Sequence, residues 1–316
     1  MGENTKINVL NAPPKTSRGL LPYVLDLIMM IRVAHWAKNL FLYIPIFFAG
    51  DIFDPNRDIN VTIGVIAFSL IASAIYILND IKDINYDRCH PVKRYRALAS
   101  GRVPITTAVV IMGLFAIASL LLAWHCGYKF FCIICIYLIL NVGYSFGLKN
   151  ISILDILILS TGFVLRIKGG AVLGQVGISQ WLIIMVFLLS LFLALAKRKD
   201  DIQLKPIEQI STRQSVDGYN TQFLNISLTV VSAIMIMAYL MYTLSSEVIL
   251  RMGTYRLYYT TVFVFAGLLR YLQFIYIQNE TRSPIRILYK DHFIQICIAL
   301  WLLSFYFLLY FKNFHL

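Results

Sequence analysis

Asn79-Asp80-Ile81-Lys82-Asp83-Ile84-Asn85-Tyr86-Asp87, running on into Arg88-Cys89-His90-Pro91-Val92-Lys93-Arg94-Tyr95-Arg96, follows directly on a long apolar segment. Asn79, Asp83 and Asp87 recur every four residues, and Asp80 stands three before Asp83. In a helix, all four side chains therefore project from one face. Three carboxylates on one face repel each other, and a divalent cation is the simplest way to neutralise them. Cations follow within the same stretch. A patch this polar at the end of so apolar a run is read through the segments around it.

Those segments are membrane-like. Of 316 residues, 59% are hydrophobic and only 14% charged, where a soluble domain carries about a quarter charged residues. Mean hydropathy is +0.72. Apolar runs near the roughly 20-residue bilayer length recur throughout. The sequence predicts an all-α membrane protein of about nine transmembrane helices, near 20–49, 60–80, 104–125, 127–147, 151–173, 179–197, 220–245, 255–277 and 291–312. The first is irregular, with Asp26, Arg32, His35, Lys38 and Asn39 in its first part, and is expected to start at the interface and tilt inward. Residues 1–19 are polar and lack a signal-peptide core, so they read as a disordered leader, with 20–316 a single membrane domain.

The net charge of +12 matters less than where the charge sits. Twenty Lys and Arg residues lie on the side of the N-terminus and of loops 81–103, 148–150, 197–219 and 279–290; five lie opposite. This bias puts the N-terminus and the Asp-rich stretch in the cytoplasm of a cell-membrane protein and the C-terminus outside. It also argues against a nucleic-acid partner, which would gather the basic residues on one solvated face. Cys132 and Cys135 form a CxxC without companion Cys or His pairs, so neither a zinc nor a redox site is expected.

The chemistry of the first stretch suits Mg²⁺, which takes oxygen ligands and commonly shares them with substrate phosphates. Lys93, Arg94 and Arg96 suit phosphate oxygens. Neither a Walker A pattern nor a GxGxxG after a strand is present. In the second charged segment, Lys197, Arg198 and Asp201 share a helical face, while Lys199 fits equally well as an anchor at a helix end. Arg166 and Asp155 inside apolar helices each need a polar partner or cavity, since a mid-membrane charge costs on the order of 2.5–3.5 kcal/mol. Asn141, Ser145 and Lys149, with Tyr144 alongside, form a stripe that serves either a site or a helix seam. Gly169, Gly170 and Gly174 are expected to permit close packing only.

With these residues in view, the chain resembles the UbiA prenyltransferase superfamily, and within it the decaprenyl-phosphate phosphoribosyltransferases. The resemblance rests on NDxxDxxxD at 79–87 continued by Arg88-x-His90-Pro91-x-Lys93-Arg94-x-Arg96, on Trp36-x-Lys38-Asn39, and on Tyr144-Ser145 with Lys149 and Asp155. Gly162-Phe163-x-x-Arg166, Ala196-Lys197-Arg198 and Arg270-Tyr271 extend it over most of the chain. It implies a UbiA-like bundle around a cavity open to the cytoplasm. It implies Mg²⁺ on Asn79, Asp80, Asp83 and Asp87, with these carboxylates as the catalytic groups. It further implies 5-phosphoribosyl 1-pyrophosphate as donor and a polyprenyl phosphate as acceptor.

Lys93, Arg94 and Arg96 are then the expected phosphate clamps, with Lys197 and Arg198 across the cavity. Lys38, Asn39, Lys82, His90, Tyr144, Lys149, Arg166, Asp201 and Arg270 are further substrate-binding candidates. A homo-oligomer is compatible with all of this. Ala97 replaces a proline usual in the family, and Asp201 a glutamate. The second DxxxD of aromatic prenyltransferases is missing from 197–219. Rival readings are a prenyltransferase acting on an aromatic or glycerolipid acceptor and, less well matched, a transporter.

Overall fold

The computed structural model describes residues 19–52, 54–208, 214–277, 287 and 290–310. The expected leader lies outside the described residues, as does most of loop 279–290. The described residues form α1 (Leu20–Ile31), a 3-10 segment (Val33–Tyr43), α2 (Ile44–Ala49), α3 (Pro55–Lys82), α4 (Ile84–Cys89), α5 (Ile105–His125) and α6 (Tyr128–Ser145). They continue with α7 (Leu154–Gly174), α8 (Gln180–Glu208), α9 (Thr221–Leu244), α10 (Ser246–Met252), α11 (Thr261–Tyr276) and α12 (His292–Tyr310). Among the described residues no strand occurs.

Every expected apolar segment has a helical counterpart. Six of the helices are long and apolar enough to cross a membrane, and the bent pair formed by α1 and 33–49 makes a seventh. The protein is thus a multi-pass membrane protein, but α11 and α12 fall short on the same criterion and nine crossings are not reproduced. Two boundaries moved for physical reasons. The chain leaves α1 at Arg32 in the left-handed conformation (φ 56°, ψ 50°), and the two halves of the expected first helix meet at 41°. At the other boundary, α8 runs on to Glu208, so Lys197, Arg198 and Asp201 are helix residues and the expected loop at 197 starts later.

Helix starts follow from the sequence locally. Asp54 caps α3, its carboxylate accepting the Asn56 N–H at 3.0 Å, with Pro55 in the first turn. Asn220 caps α9 in the same way through the Phe223 N–H. The interior of the bundle is α3 and α7 with the 3-10 segment between them. Leu42, Phe68, Phe130, Ile134, Tyr137 and Leu165 form its core. A second core joins α8, α9 and α11 through Phe192, Leu195, Leu224, Leu228, Tyr271 and Ile275. On α5, Val110, Leu114, Ile117, Leu121 and Trp124 point outward, as a lipid-facing helix requires.

Gly170 on α7 faces the backbone carbonyl of Leu42, so a methyl group there would collide with main chain rather than with a movable side chain. Alanine ordinarily gains about 1 kcal/mol over glycine in a helix. Here overpacking costs typically 1–3 kcal/mol, and Gly170→Ala is expected to lower the melting temperature of the detergent-solubilised protein. An unchanged or raised melting temperature would refute the close contact.

Candidate active site

The face predicted for the Asp-rich stretch survives a break in the helix. α3 ends at Lys82, Asp83 takes φ −92°, ψ 5°, and α4 starts at Ile84. Yet the Asp83 N–H donates to the Asn79 carbonyl at 2.9 Å and the Asp87 N–H to the Asp83 carbonyl at 2.8 Å. The four-residue register therefore runs through the bend.

The four side chains divide into two cation-bridged pairs. Asp80 and Asp87, both buried, share the Arg96 Nη1, which donates to them at 3.1 and 2.7 Å. Asn79 and Asp83 share Lys149, whose Nζ donates at 3.2 Å to Asn79 Oδ1 and at 2.5 Å to Asp83 Oδ1. Asn79 Nδ2 in turn donates to Asp83 Oδ2 at 3.1 Å. Arg32, at the end of α1, donates to Asp80 at 2.5 Å and lies over the Tyr76 ring at 4.7 Å. The repulsion read from the sequence is thus relieved by Arg32, Arg96 and Lys149, drawn from three separate places in the chain.

A metal would meet only hard oxygen donors here. Among the described residues no three His, Cys, Asp or Glu side chains are gathered into a metal-holding group. A Mg²⁺ ion, which often uses one or two protein carboxylates and completes its shell with water and phosphate oxygens, fits this donor set. Asp83 is the most accessible of the three carboxylates, with 23% of its side chain exposed.

The loop after α4 is held to this site. His90 Nδ1 accepts the N–H groups of Val92 and Lys93 at 3.2 Å, which folds the chain into the turn that carries Lys93 to Arg96. His90 thereby has a loop-shaping contact. Arg94 donates to the Tyr95 hydroxyl and lies over its ring. Lys82 is exposed and sits 4.0 Å from the Phe146 ring centroid. Arg102 reaches back to the buried Asp26 of α1 at 2.7 Å, tying the loop to the first helix.

In the first turn of α7, Asp155 is completely buried and accepts Arg198 Nε at 2.7 Å and the Tyr219 hydroxyl at 2.8 Å. Arg198 Nη1 also donates to Asp201 at 2.6 Å. Burial pushes the Tyr219 phenol above its ordinary value, so it stays protonated and donates to Asp155. The Tyr219 oxygen accepts the N–H of Ile153, a residue at φ 70° at the start of α7. Lys199 points elsewhere, donating to the Ile275 carbonyl at 3.1 Å.

Residues 40–297 match the UbiA prenyltransferase family. The chain belongs to the UbiA prenyltransferase family. It is 33% identical over 239 residues, 74% of this chain and 73% of the relative, to a protein of Mycolicibacterium smegmatis named decaprenyl-phosphate phosphoribosyltransferase. A protein of the same name from Corynebacterium glutamicum is 34% identical over 223 residues, 67% of this chain and 65% of that one. Among solved structures, a UbiA homolog from Archaeoglobus fulgidus bound to GPP and Mg²⁺ superposes with a TM-score of 0.68 at 18% identity, over 90% of this chain and 99% of that one. The chain is therefore an enzyme of the transferase class.

Within the UbiA fold, the sequence candidates separate. Asn79, Asp80, Asp83, Asp87, Arg96 and Lys149 converge. Asn39 and Arg166 meet one another deeper in the bundle, and Arg198 and Asp201 join Asp155 in a separate network. Tyr144 is buried near the end of α6. Arg270 stands apart from the convergent set: it donates to Asp291 at 2.9 Å and to Gln273 at 2.9 Å, bracing α11 against α12. Three participants escaped sequence reading: Arg32, read only as a polar residue of the first segment, donates to Asp80, and the other two are tyrosines. Tyr76 stands on the motif face, four residues before Asp80, and that spacing could have found it. Tyr219 reaches Asp155 across 64 residues of chain, and no local pattern marks it.

Proposed function

We propose that the protein transfers the 5-phosphoribosyl group of 5-phosphoribosyl 1-pyrophosphate to a polyprenyl phosphate, releasing pyrophosphate, with Mg²⁺ as cofactor. The observation that carries this reading is Arg96 bridging Asp80 and Asp87. It ties the last residue of the His90–Arg96 extension to the carboxylates, and that extension is what the resemblance uses to distinguish the phosphoribosyl branch from prenyl transfer to aromatic acceptors. The names of the two bacterial relatives support it.

Asn79, Asp80, Asp83 and Asp87 would hold the metal. When bound, Mg²⁺ supplies positive charge to the pyrophosphate oxygens and so eases departure of the leaving group. Arg96 and Lys149, already spanning the carboxylate pairs, offer charge-assisted hydrogen bonds to the same phosphate oxygens. The ribose C1–O bond to pyrophosphate breaks, and an oxygen of the lipid phosphate forms the new bond to C1. That oxygen is anionic at neutral pH, so no side chain has to remove a proton. The rate then comes from positioning and fixed charge. The Lys and Arg bias supports a cytoplasmic N-terminus and a site opening to the cytoplasm.

The test is turnover by the purified full chain with Mg²⁺, labelled phosphoribosyl pyrophosphate and decaprenyl phosphate. Labelled lipid is expected, with loss of product on adding EDTA and recovery on restoring excess Mg²⁺. Product formed only from a labelled prenyl diphosphate would replace this reading with prenyl transfer. Activity indifferent to EDTA would remove the metal from it.

A further inference from the structure

Below the Asp-rich site, two elements face each other in matching steps. On α3 the residues Asp80, Tyr76, Ser73 and Ser69 descend at three- and four-residue spacing along one face. On the first segment Arg32, His35, Trp36 and Asn39 descend opposite them. Their contacts pair in order: Arg32 with Asp80 and Tyr76, His35 edge-on to Tyr76 at 5.2 Å, Trp36 Nε1 donating to Ser73 at 3.0 Å, and Asn39 Nδ2 donating to Ser69 at 2.9 Å. This polar seam runs from the carboxylates into the apolar interior. It ends on Arg166.

Arg166 is 5% exposed. Its Nε donates to Asn39 Oδ1 at 2.8 Å, its Nη1 to the Gly162 carbonyl at 2.8 Å and its Nη2 to the Tyr137 hydroxyl at 3.0 Å. The rings of Phe68, Tyr137 and Phe163 surround it at 4.9–5.5 Å. Every one of these partners is electrically neutral. Lys38, next to Asn39, lies within the electrostatic reach of Arg166 and Arg32, and His35 within that of Lys38 and Arg32. Among the described residues neither Arg166 nor Lys38 forms an ion pair. The upper half of the seam balances its charges, carboxylate against guanidinium. Among the described residues the lower half brings Arg166 and Lys38 near one another with no carboxylate paired to either, which is costly in a low-dielectric interior.

We propose that this lower half is the binding subsite for the phosphate monoester of the acceptor lipid, held by Lys38 and Arg166. The inference rests on the acceptor being a phosphorylated polyprenol. Two phosphate monoesters enter the proposed reaction, the lipid headgroup and the 5-phosphate of the donor. Depth selects the lipid: Arg166 lies eleven residues beyond Asp155 along α7, about 16 Å of helix rise. A tail leaving this point enters the bilayer directly, while the headgroup oxygen faces up the seam toward the carboxylate site. Asn39 acts as a positioning residue, accepting from the Arg166 guanidinium through its amide oxygen and donating through its amide nitrogen to the Ser69 hydroxyl of α3.

Equilibrium binding to the purified full chain tests this, read by native mass spectrometry with three probes: decaprenyl phosphate, uncharged decaprenol and ribose 5-phosphate. Wild type is expected to bind decaprenyl phosphate well above decaprenol. Arg166→Gln and Lys38→Gln are each expected to weaken the phosphorylated lipid by about tenfold to a hundredfold, the worth of one charged hydrogen bond. Ribose 5-phosphate and decaprenol should be unaffected. Lys38 is partly exposed, so its variant keeps the test available where loss of Arg166 impairs folding. Equal binding of lipid phosphate and lipid alcohol by wild type overturns the proposal. So does a loss confined to ribose 5-phosphate in either variant. Since binding rather than turnover is read, a failed phosphoribosyl transfer assay leaves this result interpretable on its own.

Discussion

Asp83→Ala is expected to lower kcat/KM by roughly a thousandfold or more while moving the melting temperature by only a few degrees. Both halves follow from the geometry around this carboxylate. Asp83 is the most open of the three motif carboxylates, and its partner Lys149 also bonds Asn79 Oδ1 at 3.2 Å. Removing Asp83 therefore leaves the Lys149 ammonium with an acceptor, and the net cost of one hydrogen bond is about 1 kcal/mol. The catalytic loss is expected to be larger, because on the proposed reading an oxygen that would face the metal disappears and the Lys149 ammonium it aims is released together. Single fixed-charge contacts to a transition state are worth about 10²–10³ in rate. Initial rates with labelled phosphoribosyl pyrophosphate, alongside a circular-dichroism melt, check both. Activity within tenfold of wild type in a well-folded variant would sink the metal-face assignment. Asp80 would give a less readable result, since its loss strands the Arg32 guanidinium and leaves Arg96 with Asp87 alone.

The Asp155–Arg198 network is expected to respond in the opposite way. Asp155 and Arg198 are an ion pair whose side chains are 0% and 2% exposed. Breaking a buried pair by removing one partner costs about 3–5 kcal/mol, because the other charge stays buried. Asp155→Ala is thus expected to depress the melting temperature by on the order of 10 °C. Replacing both members by apolar residues of similar size, Asp155→Leu with Arg198→Met, should recover much of that stability. It should not recover activity if Arg198 serves the substrate. A single Asp155→Ala variant that melts with wild type would show the pair to be dispensable for the fold. A fully active double variant would remove Arg198 from the site.

Much of this was legible in the chain. Runs of apolar residues at bilayer length predict the helices because a membrane leaves the backbone no other way to satisfy its own hydrogen bonds. The Asn79–Asp87 face is readable for the same kind of reason: helical periodicity is local, and it persists through the bend at Asp83 because the i to i+4 hydrogen bonds persist. The likeness of the motifs to UbiA enzymes was borne out by the family match.

Arg270 illustrates where local reading stops. An arginine inside an apolar helix must find a polar partner, but nothing in the neighbouring sequence says whether that is a substrate or a carboxylate on the next helix, here Asp291. The extent of α8 was missed for a related reason. Charged residues after an apolar run mark where the bilayer can end, which is not where a helix must end.

What the sequence determined by itself was everything carried by periodicity and composition: the membrane class, the helix order, and a single face bearing Asn79, Asp80, Asp83 and Asp87. Tertiary structure alone decided the pairing of charges. Arg32, Arg96 and Lys149 neutralise that face from positions 48, 16 and 66 residues away from the aspartates they contact. Tyr219 closes the Asp155 network over a similar distance, and Arg166 is left among neutral partners. Electrostatic energy depends on separation in space and on burial, and neither quantity is written in the spacing of residues along the chain.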